Sequence, residues 1–444
     1  MARAAWGGPA RRAKAKAKMK RETIPELQAE DRGVLRFLTC GSVDDGKSTL
    51  IGRLLFDTKA LLADTIDTLH RQAAKRGLAA LDLSLLTDGL TAEREQGITI
   101  DVAYRYFATG RRKFIIADAP GHEQYTRNMV TAASTADVAV LLVDARKGIL
   151  AQTRRHATIA ALLGVHQLIV AVNKMDLAGF DRGVFESICD DFRGWLGQHR
   201  QLDVDLRFIP ISALDGDMIV ERGERLPWYG GPTLVELLEE APSTQLDEQA
   251  PLRLPVQWVC RPSQSDFRGY AGRIEAGRLA VGDEIVVLPA GLRSRVTRLA
   301  VGESVAASAF AGQSVLVSLA DELDISRGDL LVRAAEAPPG PRREFEATIC
   351  WLSAQRLSTA RTYLLQHATR ATRARVGSVQ ARLDVDAAAW VEAEHEVDLN
   401  EIARIRLRAQ QPLAADRYGE SRATGAFILI DEATDDTVAA GIVE

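Results

Sequence analysis

Hydrophobic runs alternate with amphipathic segments in the first half of the chain. Residues 34–40, 113–117 and 168–172 read as buried strands, and the apolar positions of residues 49–56 recur at helical spacing. Residues 233–240 also have a helical pattern. Strands interleaved with helices predict an α/β domain, which we bound at residues 33–240.

Short alternating strands punctuated by glycine occupy the second half. They include residues 255–259, 270–274 and 284–288, a pattern typical of a small β barrel. A polar segment with two prolines, residues 241–251, reads as a linker, and residues 337–341 form a proline-rich break. The predicted domains are a β barrel at residues 251–336 and a β-rich, barrel-like domain at residues 342–444.

Composition is typical of a soluble globular protein. The chain has 444 residues, of which 46% are hydrophobic and 26% charged, and no apolar run approaches the roughly 18 residues that span a bilayer. The four cysteines lie far apart, which argues against a close-paired zinc site or a disulfide scaffold and favours a reducing, cytoplasmic setting. We expect Cys40 to be a buried strand residue.

Charge is distributed unevenly along the chain. The net charge is −4, but residues 1–24 carry eight Lys or Arg and one Glu, a net of +7, so the remainder is at −11. We interpret residues 1–32 as a basic, disordered tail rather than a nucleic-acid contact. This segment lacks the apolar region of a secretory signal.

A glycine-rich loop follows the strand at residues 34–40. Its glycines let backbone N–H groups surround a phosphate at a helix N-terminus, Lys47 adds a positive charge, and the Ser48 hydroxyl can bind Mg²⁺. The predicted phosphate-binding residues are Gly41, Ser42, Val43, Asp44, Asp45, Gly46, Lys47, Ser48 and Thr49.

Two later segments offer contacts to a γ-phosphate and its metal ion. The Thr99 hydroxyl can close on Mg²⁺, Asp118 can hold a magnesium-bound water, and the Gly121 N–H can reach the γ-phosphate. His122 would lie beside that phosphate and orient water. The predicted catalytic residues are His122, Thr99 and Lys47, and the predicted Mg²⁺ ligands are Ser48, Thr99 and Asp118.

Residues after two further strands are suited to reading guanine. The Asp176 carboxylate can accept hydrogen bonds from guanine N1–H and N2–H₂, a donor pair that adenine lacks. Asn173 would brace the loop and the base, and the Lys174 stem would cover the ring. Ser212, Ala213 and Leu214 would supply a backbone N–H to guanine O6. The five elements occur in one order and predict an α/β P-loop GTPase domain, with GTP and Mg²⁺ as ligands, followed by two β-barrel-like domains.

These motifs resemble the translation-factor class of GTPases, in particular residues 97–100 and 118–122. By that resemblance, Asp44 falls where a carboxylate can lie near the phosphates. Val43 and Ile98 fall where two apolar side chains gate the access of the histidine to water.

Within this class, the chain from residue 33 onward resembles the GTPase subunit of bacterial sulfate adenylyltransferase. An elongation factor more usually has histidine at the position of Asp45, and the basic tail is outside the resemblance. The resemblance is carried by residues 38–46, 88–107, 121–129, 266–272, 324–329 and 416–418.

The resemblance implies a smaller catalytic subunit as partner. That subunit would make adenylylsulfate and pyrophosphate from ATP and sulfate, while this chain binds and hydrolyses GTP. No second P-loop precedes Glu444, so we expect no adenylylsulfate kinase activity. Two alternatives remain: an elongation factor that carries aminoacyl-tRNA, and a regulatory GTP-dependent switch without an assembled enzyme.

Overall fold

The structure is a computed structural model of the 444-residue chain. The predicted tail at residues 1–32, Ile98 and Thr99 lie outside the residues that it describes. The described residues are 33–61, 83–86, 102–122, 125–199, 204–243, 247–261, 267–336, 339–384, 387, 389–393 and 396–444.

A six-stranded sheet forms the centre of the first domain. Strand β2 is antiparallel to β3, and the other neighbours pair in parallel. Strands β4 and β5 are buried along their whole length, as expected for parallel strands covered on both faces. In the order β2-β3-β1-β4-β5-β6, the strands are β1 (Val34–Gly41), β2 (Ala103–Ala108), β3 (Lys113–Asp118), β4 (Val138–Asp144), β5 (Gln167–Asn173) and β6 (Asp205–Pro210).

Helices cover both faces of this sheet and enclose two hydrophobic cores. Successive residues of β1 point to opposite faces, so Phe37 packs in the core with Leu50 and Leu38 packs in the core with Met129. The described helices are α1 (Lys47–Asp57), α2 (Thr126–Thr135), α3 (Ala151–Leu162), α4 (Arg182–Gly197) and α5 (Leu234–Glu240), with 3₁₀ turns at Leu83–Leu86 and Met175–Ala178.

The second domain is a closed β barrel. Its seven-stranded sheet has the order β10-β15-β7-β8-β14-β11-β12, and pairing of β10 with β11 closes it. The strands are β7 (Leu254–Cys260), β8 (Gly269–Arg273), β9 (Arg278–Ala280), β10 (Glu284–Leu288), β11 (Leu292–Val301), β12 (Ser304–Val305), β13 (Ser308–Phe310), β14 (Ser314–Leu319) and β15 (Leu330–Arg333), where β9 pairs with β13.

The third domain is a second closed barrel. Its sheet has the order β17-β21-β22-β16-β20-β18-β19, and β17 also pairs with β18. Its elements are β16 (Arg342–Trp351), β17 (Tyr363–His367), β18 (Arg370–Asp384), β19 (Ala389–Glu392), β20 (Ile402–Leu413), the short helix α6 (Arg422–Gly425), β21 (Ala426–Ile430) and β22 (Thr437–Val443). The predicted fold class, an α/β domain followed by two barrels, is confirmed.

Buried ion pairs join the two barrels. Arg253 donates through Nε and Nη2 to the two carboxylate oxygens of Asp416, at 2.8 Å each, and both side chains are buried. Arg370 pairs with Asp329 at 2.7 Å. Within the basic cluster at residues 370–375, Arg373 lies on a solvated strand face, but Arg370 is turned into the contact between the barrels.

The third barrel also contacts the ends of two helices in the first domain. Arg422 donates to the carbonyl of Ala136, after α2, at 3.0 Å, and to that of Gly164, after α3. The Tyr418 hydroxyl donates to the Leu163 carbonyl at 2.9 Å. Cationic groups at helix C-termini satisfy carbonyls that have no partner within the helix, so these contacts stabilise both helix ends.

Candidate functional site

The phosphate loop lies between β1 and α1, as predicted. Gly46 precedes the helix at φ 96°, and a Cβ there would lie 2.4 Å from Asn173 Nδ2, so only glycine fits. Asp44 also has a positive φ, 68°. The loop therefore curls back over the end of the sheet, with its helix N-terminus open toward a ligand.

Lys47 is held inside the loop. Its Nζ donates to the carbonyls of Gly41 at 3.0 Å and Ser42 at 2.9 Å, and the side chain is buried. Burial lowers the pKa of Lys47, while Asp118 and Asp45 oppose that shift. The ammonium group is thus already desolvated and aimed along the loop, where a phosphate would gain most from its charge.

Asp45 points back into the loop. Its Oδ2 accepts the Ser42 N–H at 2.7 Å, whereas its buried Oδ1 and the buried Ser42 Oγ have no hydrogen-bond partner among the described residues. Burial raises the pKa of Asp45, and the Ser42 N–H and Lys47 oppose the shift. The Asp45 carboxylate therefore stabilises the conformation of the loop through its hydrogen bond with the Ser42 backbone.

Asn173 joins the phosphate loop to the loop after β6. Its Nδ2 donates to the Asp45 carbonyl at 2.7 Å, and its Oδ1 accepts the Ala213 N–H at 2.9 Å. Asn173 therefore links the two loops, and its role in bracing the loop and the base stays a prediction. Because the Ala213 N–H is engaged here, its use for guanine O6 stays a prediction.

The predicted base-reading carboxylate lies in the same loop cluster. Asp176 Oδ1 accepts a hydrogen bond from Ser212 Oγ at 2.7 Å, which fixes the carboxylate beside residues 212–214. Arg53 of α1 donates to the carbonyls of Ala213, at 3.4 Å, and Leu214. Arg53 was not predicted; its side chain orders the loop from the phosphate-binding helix.

Family comparison identifies this arrangement. Residues 32–244 match the family model "Elongation factor Tu GTP binding domain", and residues 344–444 match the model "GTP-eEF1A C-terminal domain-like". The chain is a translation-factor-like GTPase. Among solved structures, the GTPase is similar to Sup35 complexed with GDP (23% identity, 96% of this chain and 97% of that chain, TM-score 0.42) and with GMPPNP (24% identity, 96% of each chain, TM-score 0.42).

A charge network that was not predicted surrounds the buried Asp144 and reaches Lys174, one of the residues predicted to contact the base. Asp144, at the end of β4, accepts two hydrogen bonds from the Arg146 guanidinium and pairs with Lys174 Nζ at 3.0 Å. Lys174 Nζ also donates to the Asp44 carbonyl. Burial alone would raise the pKa of Asp144, but these donors outweigh it and lower that pKa. An aspartate at the end of a buried apolar strand was the available sequence signal.

Of the residues predicted to lie near the γ-phosphate of the GTPase, the structure describes Asp118, Gly121 and His122. Asp118, at the end of β3, is buried and accepts the Thr39 hydroxyl at 3.3 Å. A Cβ on Gly121 would lie 2.5 Å from Lys47 Nζ, so glycine permits the close approach of the two segments. His122 is exposed, with its ring 6.2 Å from that of Tyr125. Its catalytic role stays a prediction.

Cys40 is a buried residue of β1, as predicted, and burial raises the pKa of its thiol to about 12. Across the described ranges, none of the helices combines the length and apolar character needed to cross a membrane.

Proposed function

We propose that this GTPase is the GTP-hydrolysing subunit of a sulfate adenylyltransferase that acts in sulfate assimilation. A smaller catalytic subunit would form adenylylsulfate and pyrophosphate from ATP and sulfate, and GTP hydrolysis on this chain would drive that unfavourable adenylyl transfer. The support in the sequence is the resemblance of residues 38–46, 88–107 and 121–129 to this subunit.

The charge pattern of the third barrel is the structural observation that carries the proposal. Residues 342–444 contain 13 Arg, no Lys, and 16 Asp or Glu. Nucleic-acid binding depends on cations that are available to phosphates, whereas eight of these thirteen arginines have carboxylate partners among the described residues. The pairs include Arg356–Asp398, Arg361–Asp431, Arg373–Glu432, Arg382–Glu401, Arg404–Glu444 and Arg406–Glu346.

GTP would bind across the loops at the carboxyl ends of β1, β3, β5 and β6. The loop N–H groups and Lys47 would hold the phosphates, and Asp176 would accept the two guanine donors. The phosphate loop, Asn173 and residues 212–214 are hydrogen-bonded to one another, which supports one continuous nucleotide site.

The donor set near the phosphate loop suits Mg²⁺. Ser48 offers a hydroxyl in the first turn of α1, and buried Asp118 offers a carboxylate at the end of β3, which are oxygen ligands of the kind Mg²⁺ prefers. When bound, the ion would neutralise charge on the β- and γ-phosphates. Thr99, the third proposed ligand, lies outside the described residues.

Both family descriptions favour a second candidate function, that of an elongation factor delivering aminoacyl-tRNA. The same nucleotide chemistry would serve it. The two functions differ in the partner of the GTP-bound state, RNA in one and a protein subunit in the other.

Binding measurements separate the two candidates. The purified chain, loaded with a non-hydrolysable GTP analogue, is titrated with aminoacyl-tRNA and separately with the candidate small subunit. We expect GTP-dependent binding of the subunit and only weak, salt-sensitive binding of RNA, both compared with the Lys47→Ala variant. Tight, GTP-dependent binding of aminoacyl-tRNA with none of the subunit would reverse the assignment.

A further inference from the structure

Side chains engage the first two N–H groups of the phosphate loop. The Ser42 N–H donates to Asp45, which belongs to the loop itself. The Gly41 N–H donates to His156 Nδ1 at 3.1 Å, and His156 lies 115 residues further along the chain, on α3. Only 2% of the His156 surface is exposed, so this contact is shielded from water.

The hydrogen bond to Gly41 fixes the tautomer of His156. A backbone N–H can only donate, so Nδ1 must be the acceptor and Nε2 must carry the proton. Nε2 lies 3.1 Å from the side-chain amide of Gln152, one turn earlier on α3. The Gln152 atom at this distance is the amide nitrogen, which can only donate, so the amide must turn its oxygen toward the ring to accept this proton.

The imidazole stays neutral under ordinary conditions. The pKa of His156 is lowered from 6.5 to about 3, mainly because the ring is buried and secondly because the positive charge of Lys47 is near. A protonated ring would lose its acceptor at Nδ1. Burial therefore preserves the hydrogen bond to Gly41 throughout the neutral range.

Gly41 links this histidine to the phosphate-binding lysine. Its N–H is held by His156, and its carbonyl accepts Lys47 Nζ at 3.0 Å. The two side chains thus hold one residue by its two polar backbone atoms. A shift of Gly41 would move both the lysine and the start of the loop, and displacements near 1 Å at such sites can cost about a hundredfold in activity.

We propose that His156 is a positioning residue for nucleotide binding: as a hydrogen-bond acceptor at Nδ1, it fixes the Gly41 backbone and thereby the orientation of Lys47 and the loop toward the β- and γ-phosphates. The inference rests on the nucleotide site proposed above. It adds a determinant on α3 that contacts no ligand itself. If His156 only filled the core, nucleotide binding would not depend on which ring nitrogen accepts a hydrogen bond.

Two amide substitutions distinguish these roles. Asn carries its carbonyl oxygen near the position of histidine Nδ1, whereas Gln carries its amide near the position of Nε2. His156→Asn should keep the Kd for GDP and GTP within about threefold. His156→Gln should raise both by about tenfold or more, because it leaves the Gly41 N–H buried without an acceptor. Exposed His166→Gln is the matched control.

Calorimetric titration of the full chain with GDP and a GTP analogue gives the Kd values, and thermal unfolding of each variant reports stability. Equal affinity of the Asn and Gln variants, whether high or low, overturns the proposal. If Lys47→Ala also leaves affinity unchanged, the nucleotide site itself is wrong. If only Lys47→Ala weakens binding, the inference about His156 fails alone.

A measurement on the unsubstituted protein covers the case in which the variants do not fold. In the ¹⁵N-labelled, GDP-loaded chain, a scalar coupling between the Gly41 amide nitrogen and His156 Nδ1, together with a proton on Nε2, is the expected result. A proton on Nδ1 would overturn the proposal.

Discussion

Asp176 is the residue on which we propose that base selectivity depends. Its carboxylate is fixed by Ser212 and is suited to accept the two donors of guanine. Asp176→Asn should shift preference from guanine toward xanthine, because the amide donates where xanthine offers an acceptor. Competition between GTP and XTP for binding measures the shift. Unchanged competition would reject the base-reading role, with exposed Glu186→Gln as a control.

Substitution of His122 tests whether GTP hydrolysis can be lowered without weakening GTP binding. The exposed imidazole is suited to orient water and has no predicted part in holding the nucleotide. His122→Ala should lower GTP turnover by about a hundredfold or more, within the usual range for acid–base or water-orienting groups, while the Kd for GTP changes little. Single-turnover kinetics with radiolabelled GTP measure this; full turnover in the variant would remove His122 from the mechanism.

At the residue scale, sequence motifs indicated which residues belong to the candidate site but not the protein contacts that these residues make. The glycine loop, Lys47 and Asn173 were predicted because each residue type matches its chemical task. His156 was missed because its partner is 115 residues away, and at helical spacing it is indistinguishable from a core position. Asp144 was missed because nothing local indicates that Lys174 folds back onto it.

At the scale of elements, α3 carries a pH-dependent contribution to stability. The pKa of His156 falls from 6.5 to about 3 on folding, so between these values the unfolded state binds more protons than the folded state. Stability therefore decreases as pH falls below 6.5, by about 1.4 kcal/mol per pH unit from this group, and the loss ends near pH 3.

The His156→Asn variant isolates this contribution, because it removes the titrating group. Urea denaturation at pH 7 and pH 5 should give a larger fall in the midpoint for the unsubstituted chain than for the variant. Identical falls would mean that His156 titrates normally in the folded protein.

The strands and helices themselves were largely predictable. Residues 34–40 and 168–172 are contained in β1 and β5, and residues 255–259 in β7, because buried strands have distinct hydrophobic runs. The closure of each barrel was not predicted in detail, since pairings such as β10 with β11 and β17 with β18 depend on long-range register.

At the scale of the whole molecule, Arg253 and Asp416 lock the barrels together. Removal of one partner leaves a buried charge, so Arg253→Met should cost about 3–5 kcal/mol. The Arg253→Met, Asp416→Leu double variant should recover much of that loss. Exposed Arg295, paired with Glu284, is the control: Arg295→Met should cost under about 1 kcal/mol. A double-mutant cycle on chemical denaturation measures the coupling, and equal costs for the two arginines would exclude a buried lock.

Contacts between domains could not be predicted from local patterns. Arg370 has the sequence context of a solvated strand but bridges to Asp329 of the second barrel. Arg422 satisfies carbonyls at the ends of α2 and α3 from more than 250 residues away. Such contacts depend on how complete domains meet, and no periodicity within a segment encodes that.

The most direct test of the proposed function follows adenylylsulfate and GTP together. The purified chain and its candidate small subunit are incubated with ATP and sulfate, with and without GTP, and adenylylsulfate, pyrophosphate and GDP are measured over time. We expect GTP to raise adenylylsulfate accumulation, with GDP formed in step, and Lys47→Ala to abolish both effects. GTP hydrolysis without any effect on adenylylsulfate would contradict the account.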